Sequence, residues 1–345
     1  MTRVAVVGAT GAVGQDLCRL LQERAFPLDD VVLVASQRSA GRVLPFAGRE
    51  VTVRAVDDPG VFDGVDLALF SAGGAASRRY APEAAAAGAL VVDNSSAWRM
   101  DPDVPLVVTE VNPDVLDRRP PKGIVANPNC TTMVAMLPLK ALHDAYRLVG
   151  FTATSFQAAG GAGQKGIDEL VDQVEPLFAA ADALRRDGAA AAQKVTADVF
   201  GKQLAFNVVP LIGSELDDGY TDEEMKLQNE SRKNLGLPDH AVTPTCVRVP
   251  VMVGHAVQVR AVCEDEIRSV ADAIASMDRF PGMVVDHAPT PLEYAGRDEV
   301  AVGRIRLDLV DPRAINFFVV GDNLLKGAAL NTVQIAELLV AKGHV

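Results

Sequence analysis

Apolar runs and helical repeats alternate through the first part of the chain. Val4–Val7 is an uninterrupted apolar run, the pattern of a strand buried on both faces, and Leu17, Leu20 and Leu21 then recur at helical spacing. Val31–Ala35 and Asp66–Phe70 repeat the strand pattern. Ala75–Ala87 reads as a helix, and Ala89–Asp93 and Gly123–Ala126 as further strands. Val43–Phe46 and Glu50–Val56, around Ala47-Gly48-Arg49, look like a hairpin appended to this sheet. Strand and helix in turn predict an α/β domain built on a doubly wound parallel sheet.

Past Cys130 the rhythm changes. Met133–Tyr146 reads as a helix that Pro138 kinks or shortens. Leu148–Gln157 has the mixed pattern of a strand in an antiparallel sheet and runs into Ala158-Ala159-Gly160-Gly161-Ala162-Gly163, a glycine-rich loop. The periodicity predicts one amphipathic helix over Ile167–Leu184. It predicts another over Thr221–Leu235, with Thr221 as N-cap and Glu224 at the capping-box position. Thr245–Val253 and Ala256–Glu264 read as paired strands around Gly254-His255. Ile315–Val320 is a strand, and Gly321-Asp322-Asn323 leads into a last helix, Leu324–Ala341. This half is expected to be an α+β domain with a mixed sheet. The length of 345 residues suits two domains, here 1–129 plus 324–345, and 130–323.

Composition narrows the function classes. A hydrophobic share of 49% and a charged share of 23% are those of a globular protein with two cores, and the net charge of -12 argues against a nucleic-acid surface. No apolar run approaches the ~18 residues of a membrane span, so no membrane partner is expected. Met1 leads straight into the first strand without the charged and apolar regions of a secretory leader. Cysteines stand at 18, 130, 246 and 263, with no C-x-x-C spacing for zinc or a dithiol, so no metal is expected and a reducing cytoplasm is the simplest compartment.

The candidate chemistry gathers at strand ends. Gly8-Ala9-Thr10-Gly11-Ala12-Val13-Gly14 joins the first strand to the first helix, the context in which a glycine turn signals a dinucleotide, and so a Rossmann domain. Gly8 permits the turn, Gly11 lets amides approach a pyrophosphate, and Gly14 lets helix and strand pack. The second strand ends in Ser36-Gln37-Arg38-Ser39 without an acid. Arg38 between hydroxyls suits a 2′-phosphate, which favours NADP over NAD. Ser71-Ala72-Gly73-Gly74, Asn94–Arg99 and Asn127–Cys130 lie at other strand ends, so one cleft would collect them. Cys130 falls where a strand gives way to a helix, whose free amides and dipole favour a thiolate. A nucleophilic cysteine needs a proton-transfer partner. His344 is terminal, and His143 and His240 read as surface residues; His255, after a glycine between strands, is the candidate. Arg248 precedes it by seven residues, which puts the two on opposite faces of a straight strand unless Pro250 or Gly254 bends it. Glu223, Glu224 and Lys226 are either site residues or ordinary charges at a helix start.

Together, Gly8–Gly14, Asp93–Arg99, Asn127–Thr132, Ser155–Gly163, Glu223–Lys226, Arg248–His255 and Gly321–Leu330 resemble the aspartate-semialdehyde dehydrogenases. The resemblance runs essentially the whole length. Asn-Pro-Asn-Cys-Thr-Thr combined with Arg-Val-Pro-Val-x-x-Gly-His is specific to it. It implies a homodimeric enzyme that reduces L-aspartyl 4-phosphate with NADPH, releasing phosphate, at the branch to lysine, threonine and methionine. By this resemblance Cys130 forms an acyl-thioester, Gln157 orients the substrate and His255 shuttles protons. Arg248 binds the substrate carboxylate and Glu223, or else Glu224, its ammonium. Arg99 and Lys226 hold phosphate, and Asn129 belongs to the same substrate site. Gly8, Thr10, Gly11, Ala12, Val13, Ser36, Arg38, Ser39, Ser71, Gly160, Gly161 and Asn323 serve the cofactor, with Asn323 at the nicotinamide. The first domain is then the NADP-binding one and the second the catalytic and dimerisation domain. Phe156 and Gly160 stand where the family usually has Tyr and Ser, which touches cofactor affinity; the Gly160 amide remains for the cofactor. The rival readings are an N-acetylglutamyl-phosphate reductase, whose substrate has no free ammonium for Glu223, and a non-catalytic dinucleotide-binding protein.

Overall fold

The computed structural model describes residues 2–345 and resolves into two compact units. One comprises the residues up to Met136, Asn229–Pro238 and Leu324–Val345; the other comprises Leu137–Gln228 and Asp239–Asn323. The first unit differs from the range expected from sequence in taking 130–136 and 229–238. Two helices, Cys130–Tyr146 and Asp222–Leu235, begin in one unit and end in the other.

The first unit holds a six-stranded parallel sheet in the order Arg54–Ala55, Asp30–Ala35, Arg3–Val7, Leu67–Phe70, Leu90–Asp93, Ile124–Ala126. Alternate residues of each strand enter different cores, which is why the strands read as unbroken apolar runs. Val4, Val6, Leu33 and Leu69 pack with Leu17, Leu20 and Leu21 of helix Ala12–Glu23 and with Val333 and Leu339 of helix Leu330–Ala341. Ala5, Val7, Val34 and Phe70 pack with Tyr80, Ala81 and Ala84 of helix Gly74–Ala86. The expected hairpin exists, as Val43–Phe46 with Arg49–Thr52, but it forms its own two-stranded sheet. Only Arg54–Ala55, past a break at Val53, joins the main sheet.

The second unit is a mixed sheet in the order Ala241–Arg248, Leu148–Gln157, His255–Cys263, Ala314–Gly321, Val300–Leu307, Met283–Val285. Ala241–Arg248 pairs parallel with Leu148–Gln157, and His255–Cys263 pairs antiparallel on the other side. The strands expected to pair around Gly254 are therefore separated by a third. The connector 249–254 is no tight turn: the Val249 amide donates to the Gln157 carbonyl and the Gly254 amide to Asn323 Oδ1. Strands Val300–Leu307 and Met283–Val285, and helix Val270–Asp278, have no counterpart in the sequence reading.

Three helices depart from expectation. Helix Cys130–Tyr146 starts at the cysteine itself and runs through Pro138 unbroken, with Met136, Leu137 and Leu139 fully buried around the missing N–H. The stretch read as one helix over 167–184 is two, Gln164–Ala179 and Ala181–Arg186, divided at Ala180 (φ -102°, ψ 23°). Leu184 still packs on the core of Leu170 and Leu177, so the apolar period survives the break that it conceals. The last helix opens with a π-helical segment, Leu325–Ala329, before Leu330–Ala341.

Candidate active site

The first unit carries the glycine turn and the cysteine. Gly8 adopts φ +94° and its amide donates to the Val34 carbonyl at 2.8 Å. A Cβ at Gly8 would collide with the Ser71 carbonyl, and one at Gly14 with the Gly8 carbonyl, so both glycines are required by close backbone approach. Thr10 and Gly11 complete the turn, and Ala12 and Val13 open helix Ala12–Glu23, whose first-turn amides have no side-chain cap. Arg38 is exposed on the 3-10 turn Gln37–Ser39, with Ser36 before it and half-buried Ser39 after it.

Asn129 caps the Cys130 helix: its Oδ1 accepts the Thr131 amide at 2.9 Å and the Thr132 amide at 3.2 Å. Cys130 is thus the first helical residue, half-buried, at the end where the dipole favours an anion. The other three thiols are buried, and burial pushes each up to about 12. Arg99 is buried beneath this turn. Its Nε donates to the Asn127 carbonyl at 2.9 Å, Nη2 to the Asn94 carbonyl at 2.7 Å, and Nη1 to Glu230 Oε1 at 3.0 Å. Glu230 Oε2 accepts the Asn129 amide at 2.6 Å. Sequence reasoning passed over Glu230. The available signal was its position seven residues, about two helical turns, after Glu223.

The second unit carries the histidine and most of the charged candidates. Gln157 and Arg248 face each other in register at the ends of two parallel strands. Gln157 Nε2 donates to Glu223 Oε1 at 3.2 Å, and Lys226 Nζ donates to Glu223 Oε2 at 3.0 Å. Burial works against the Lys226 charge, but Glu223 and Asp222 outweigh it and its pKa is raised. The Ala158 amide donates to His255 Nδ1 at 3.0 Å, and Arg248 Nη1 donates to the Ala158 carbonyl at 2.8 Å. An accepting Nδ1 leaves the neutral ring its proton on Nε2. Burial, then the Arg248 cation, lower the His255 pKa from 6.5 to about 3. Because the strand ends at Arg248, the opposite-face objection lapses: Arg248 and His255 both flank Gly161, whose absent Cβ would lie 2.7 Å from Arg248 Nη1 and 3.2 Å from His255 Nε2.

Some candidates are taken elsewhere. Glu224 Oε2 accepts the Thr221 amide and Oε1 the Cys246 amide, both while buried, so it serves the predicted capping box and not a substrate ammonium. The Gly160 amide, expected to remain for a cofactor, donates to the Met252 carbonyl at 2.9 Å. A Cβ there would lie 2.8 Å from that carbonyl oxygen, which accounts for the glycine. Phe156 packs its ring against Phe318. Asn323 is buried, with Nδ2 lacking any partner among the described residues. His240, read as a surface residue, is buried with its ring stacked on Phe151.

The parallel-sheet unit with its glycine turn and the mixed-sheet unit correspond to the two domains of semialdehyde dehydrogenases. Residues 3–119 match the family model described as semialdehyde dehydrogenase, NAD binding domain, and residues 139–326 the one described as semialdehyde dehydrogenase, dimerisation domain. The aspartate-semialdehyde dehydrogenase of Corynebacterium melassecola is 51% identical, over 99% of this chain and 100% of that one. Aspartate semialdehyde dehydrogenase II of Vibrio cholerae, in a crystal structure complexed with ASA, superposes with a TM-score of 0.92 at 41% identity, covering 99% of this chain and 98% of that one. The enzyme of Candida albicans, crystallised with NADP, superposes at 0.77 with 25% identity, covering 100% of both. The chain belongs to the aspartate-semialdehyde dehydrogenase family.

Proposed function

We propose that the protein reduces L-aspartyl 4-phosphate to L-aspartate 4-semialdehyde with NADPH, releasing phosphate, on the cytoplasmic route to lysine, threonine and methionine. The observation that carries this is Cys130 as the first residue of an Asn129-capped helix, in a chain related over its whole length to this family. NADP is favoured over NAD by exposed Arg38 and the lack of an acid after the second strand. The NADP in the Candida albicans neighbour supports the same choice. The residues fit such a cofactor. The uncapped first turn at Gly11 suits a pyrophosphate, and the unpartnered, buried Asn323 Nδ2 suits a nicotinamide amide oxygen. A homodimer is supported by the match to a dimerisation domain and by Val171, Val174 and Phe178, an exposed apolar stripe on helix Gln164–Ala179.

Cys130 Sγ attacks the acyl carbon. The carbon–oxygen bond to phosphate breaks, and a thioester remains on the sulfur. When bound, NADPH would supply the hydride that the thioester carbon accepts; the carbon–sulfur bond then breaks, releasing the aldehyde and returning Cys130 Sγ as the thiolate. The oxyanion formed in each step needs donors, and the amides at the Cys130 helix start are of the right kind. His255 exchanges protons through Nε2, since Nδ1 is held by the Ala158 amide. Arg248 grips the substrate carboxylate as a fork and Glu223 its ammonium, while Gln157, bonded to Glu223, orients the chain between them. Lys226 and Arg99 hold the phosphate; Arg99 keeps two N–H groups beyond the three it donates internally.

The test is phosphate-dependent reduction of NADP by aspartate semialdehyde, followed by absorbance, with N-acetylglutamate semialdehyde in parallel. The wild type should turn over the first aldehyde only, and Cys130→Ala should abolish it. Activity with the second aldehyde alone would overturn the substrate assignment. Folded, NADP-binding protein inert with both would overturn the enzyme.

A further inference from the structure

We infer that Glu230 is a positioning residue for the nucleophile, its carboxylate holding the Cys130 turn through the Asn129 amide and the Arg99 guanidinium; this rests on the reading of Cys130 as the attacking group. Glu230 is only 1% exposed. One oxygen takes the Asn129 amide at 2.6 Å and the other takes Arg99 Nη1 at 3.0 Å. Arg99 in turn donates to the Asn127 carbonyl. The pair therefore grips the turn on both sides of Pro128, which has no N–H of its own to offer. Asn129, fixed at its amide, then caps the Cys130 helix with its side chain. The path from Glu230 to the helix start is two hydrogen bonds long.

The same end of helix Asp222–Leu235 braces Arg99 by a second route. Lys233 Nζ donates to the carbonyls of Arg99 at 2.8 Å, Asp101 at 2.7 Å and Val104 at 2.8 Å. Asn234 Nδ2 donates to the Leu106 carbonyl at 3.1 Å. The short segment Asn229–Pro238, far in sequence from the rest of its unit, acts as a splint under the nucleophile's turn. Buried ion pairs contribute little net stability, so the consequence of this one is geometry.

Glu230→Gln isolates that role. A carboxylate offers acceptors to both donors, whereas the amide presents its NH2 to one of them, so either Asn129 or Arg99 loses its partner. In the intact enzyme, kcat should fall about tenfold or more with KM for aspartate semialdehyde within about threefold, the signature of a misplaced reacting group. Alkylation of Cys130 by iodoacetamide at neutral pH should become slower, because a loosened turn draws the Asn129 cap and the helix-start amides away from the thiolate that reacts. A folded variant with wild-type kcat and alkylation rate overturns the inference. Alkylation needs no substrate, so it decides about Glu230 even if the aldehyde assay fails. Should the variant not fold, the wild type answers. In an NMR spectrum of deuterated, 15N-labelled protein, the Asn129 amide should lie downfield and exchange slowly, and rapid exchange there overturns the clamp.

Discussion

His255 owes its protonation state to burial first and to the Arg248 cation second, while one main-chain amide fixes its tautomer. The Ala158 N–H occupies Nδ1, and an added proton would have to displace it while facing the Arg248 cation in a fully buried place. The unfolded chain has no such restraint. Above about pH 6.5 neither state binds the proton, and the residue contributes no pH dependence. Between about 6.5 and 3 the unfolded chain takes a proton that the folded protein refuses, so stability is lost as the pH falls through that window. The loss from one such group approaches ~1.4 kcal/mol per pH unit. Thermal melts from neutral to acid pH should therefore show a shallower slope for His255→Asn than for wild type, and equal slopes would contradict the assignment. Cys130, Gly8 and Gly14 were legible in the sequence because each occupies a position its neighbours announce, a helix start or a turn; Arg248 was read inside a strand that in fact ends there, and only the resemblance singled it out. Glu230 was not legible, since Asn229, Ser231 and Arg232 make it look like one more charge on a wet helix. Its partners lie about a hundred residues away and are brought to it only by the fold.

Among elements, the start of helix Asp222–Leu235 was the most legible. Thr221 and Glu224 form the predicted box, the Thr221 amide donating to Glu224 Oε2 at 2.8 Å and the Glu224 amide to Thr221 Oγ1 at 3.2 Å. Thr221→Ala should cost about 1 kcal/mol, read as a lower denaturant midpoint with an unchanged slope. No measurable change would show that the box is incidental. The parallel strands were legible because burial on both faces leaves unbroken apolar runs. Partners in the mixed sheet were not. Ala241–Arg248 and His255–Cys263 are adjacent in sequence, yet Leu148–Gln157, some hundred residues earlier, lies between them. Nothing local encodes that insertion. The break at Ala180 escaped for the opposite reason, because the apolar period continues across it into the same core.

The whole molecule is acidic, at -12, yet each unit holds candidate cations, Arg38 and Arg99 in the first and Lys226 and Arg248 in the second. The substrate proposed for it bears a phosphate, a carboxylate and an ammonium, and the local cations answer the first two. Net charge spoke to partners, arguing against a nucleic-acid surface, and was silent about individual site residues. Both layers of the architecture, a doubly wound parallel sheet and a mixed sheet, could be anticipated. The passage of Asn229–Pro238 into the first unit could not, because it depends on tertiary bonds from Glu230, Lys233 and Asn234. The account as a whole stands on a covalent bond to one sulfur. Protein incubated with aspartate semialdehyde and NADP, without phosphate, and then digested and weighed by mass spectrometry tests this directly. The account predicts one β-aspartyl group on the peptide bearing Cys130, lost when phosphate is added; NADPH formation with that peptide unmodified, or the acyl group on another residue, would contradict it.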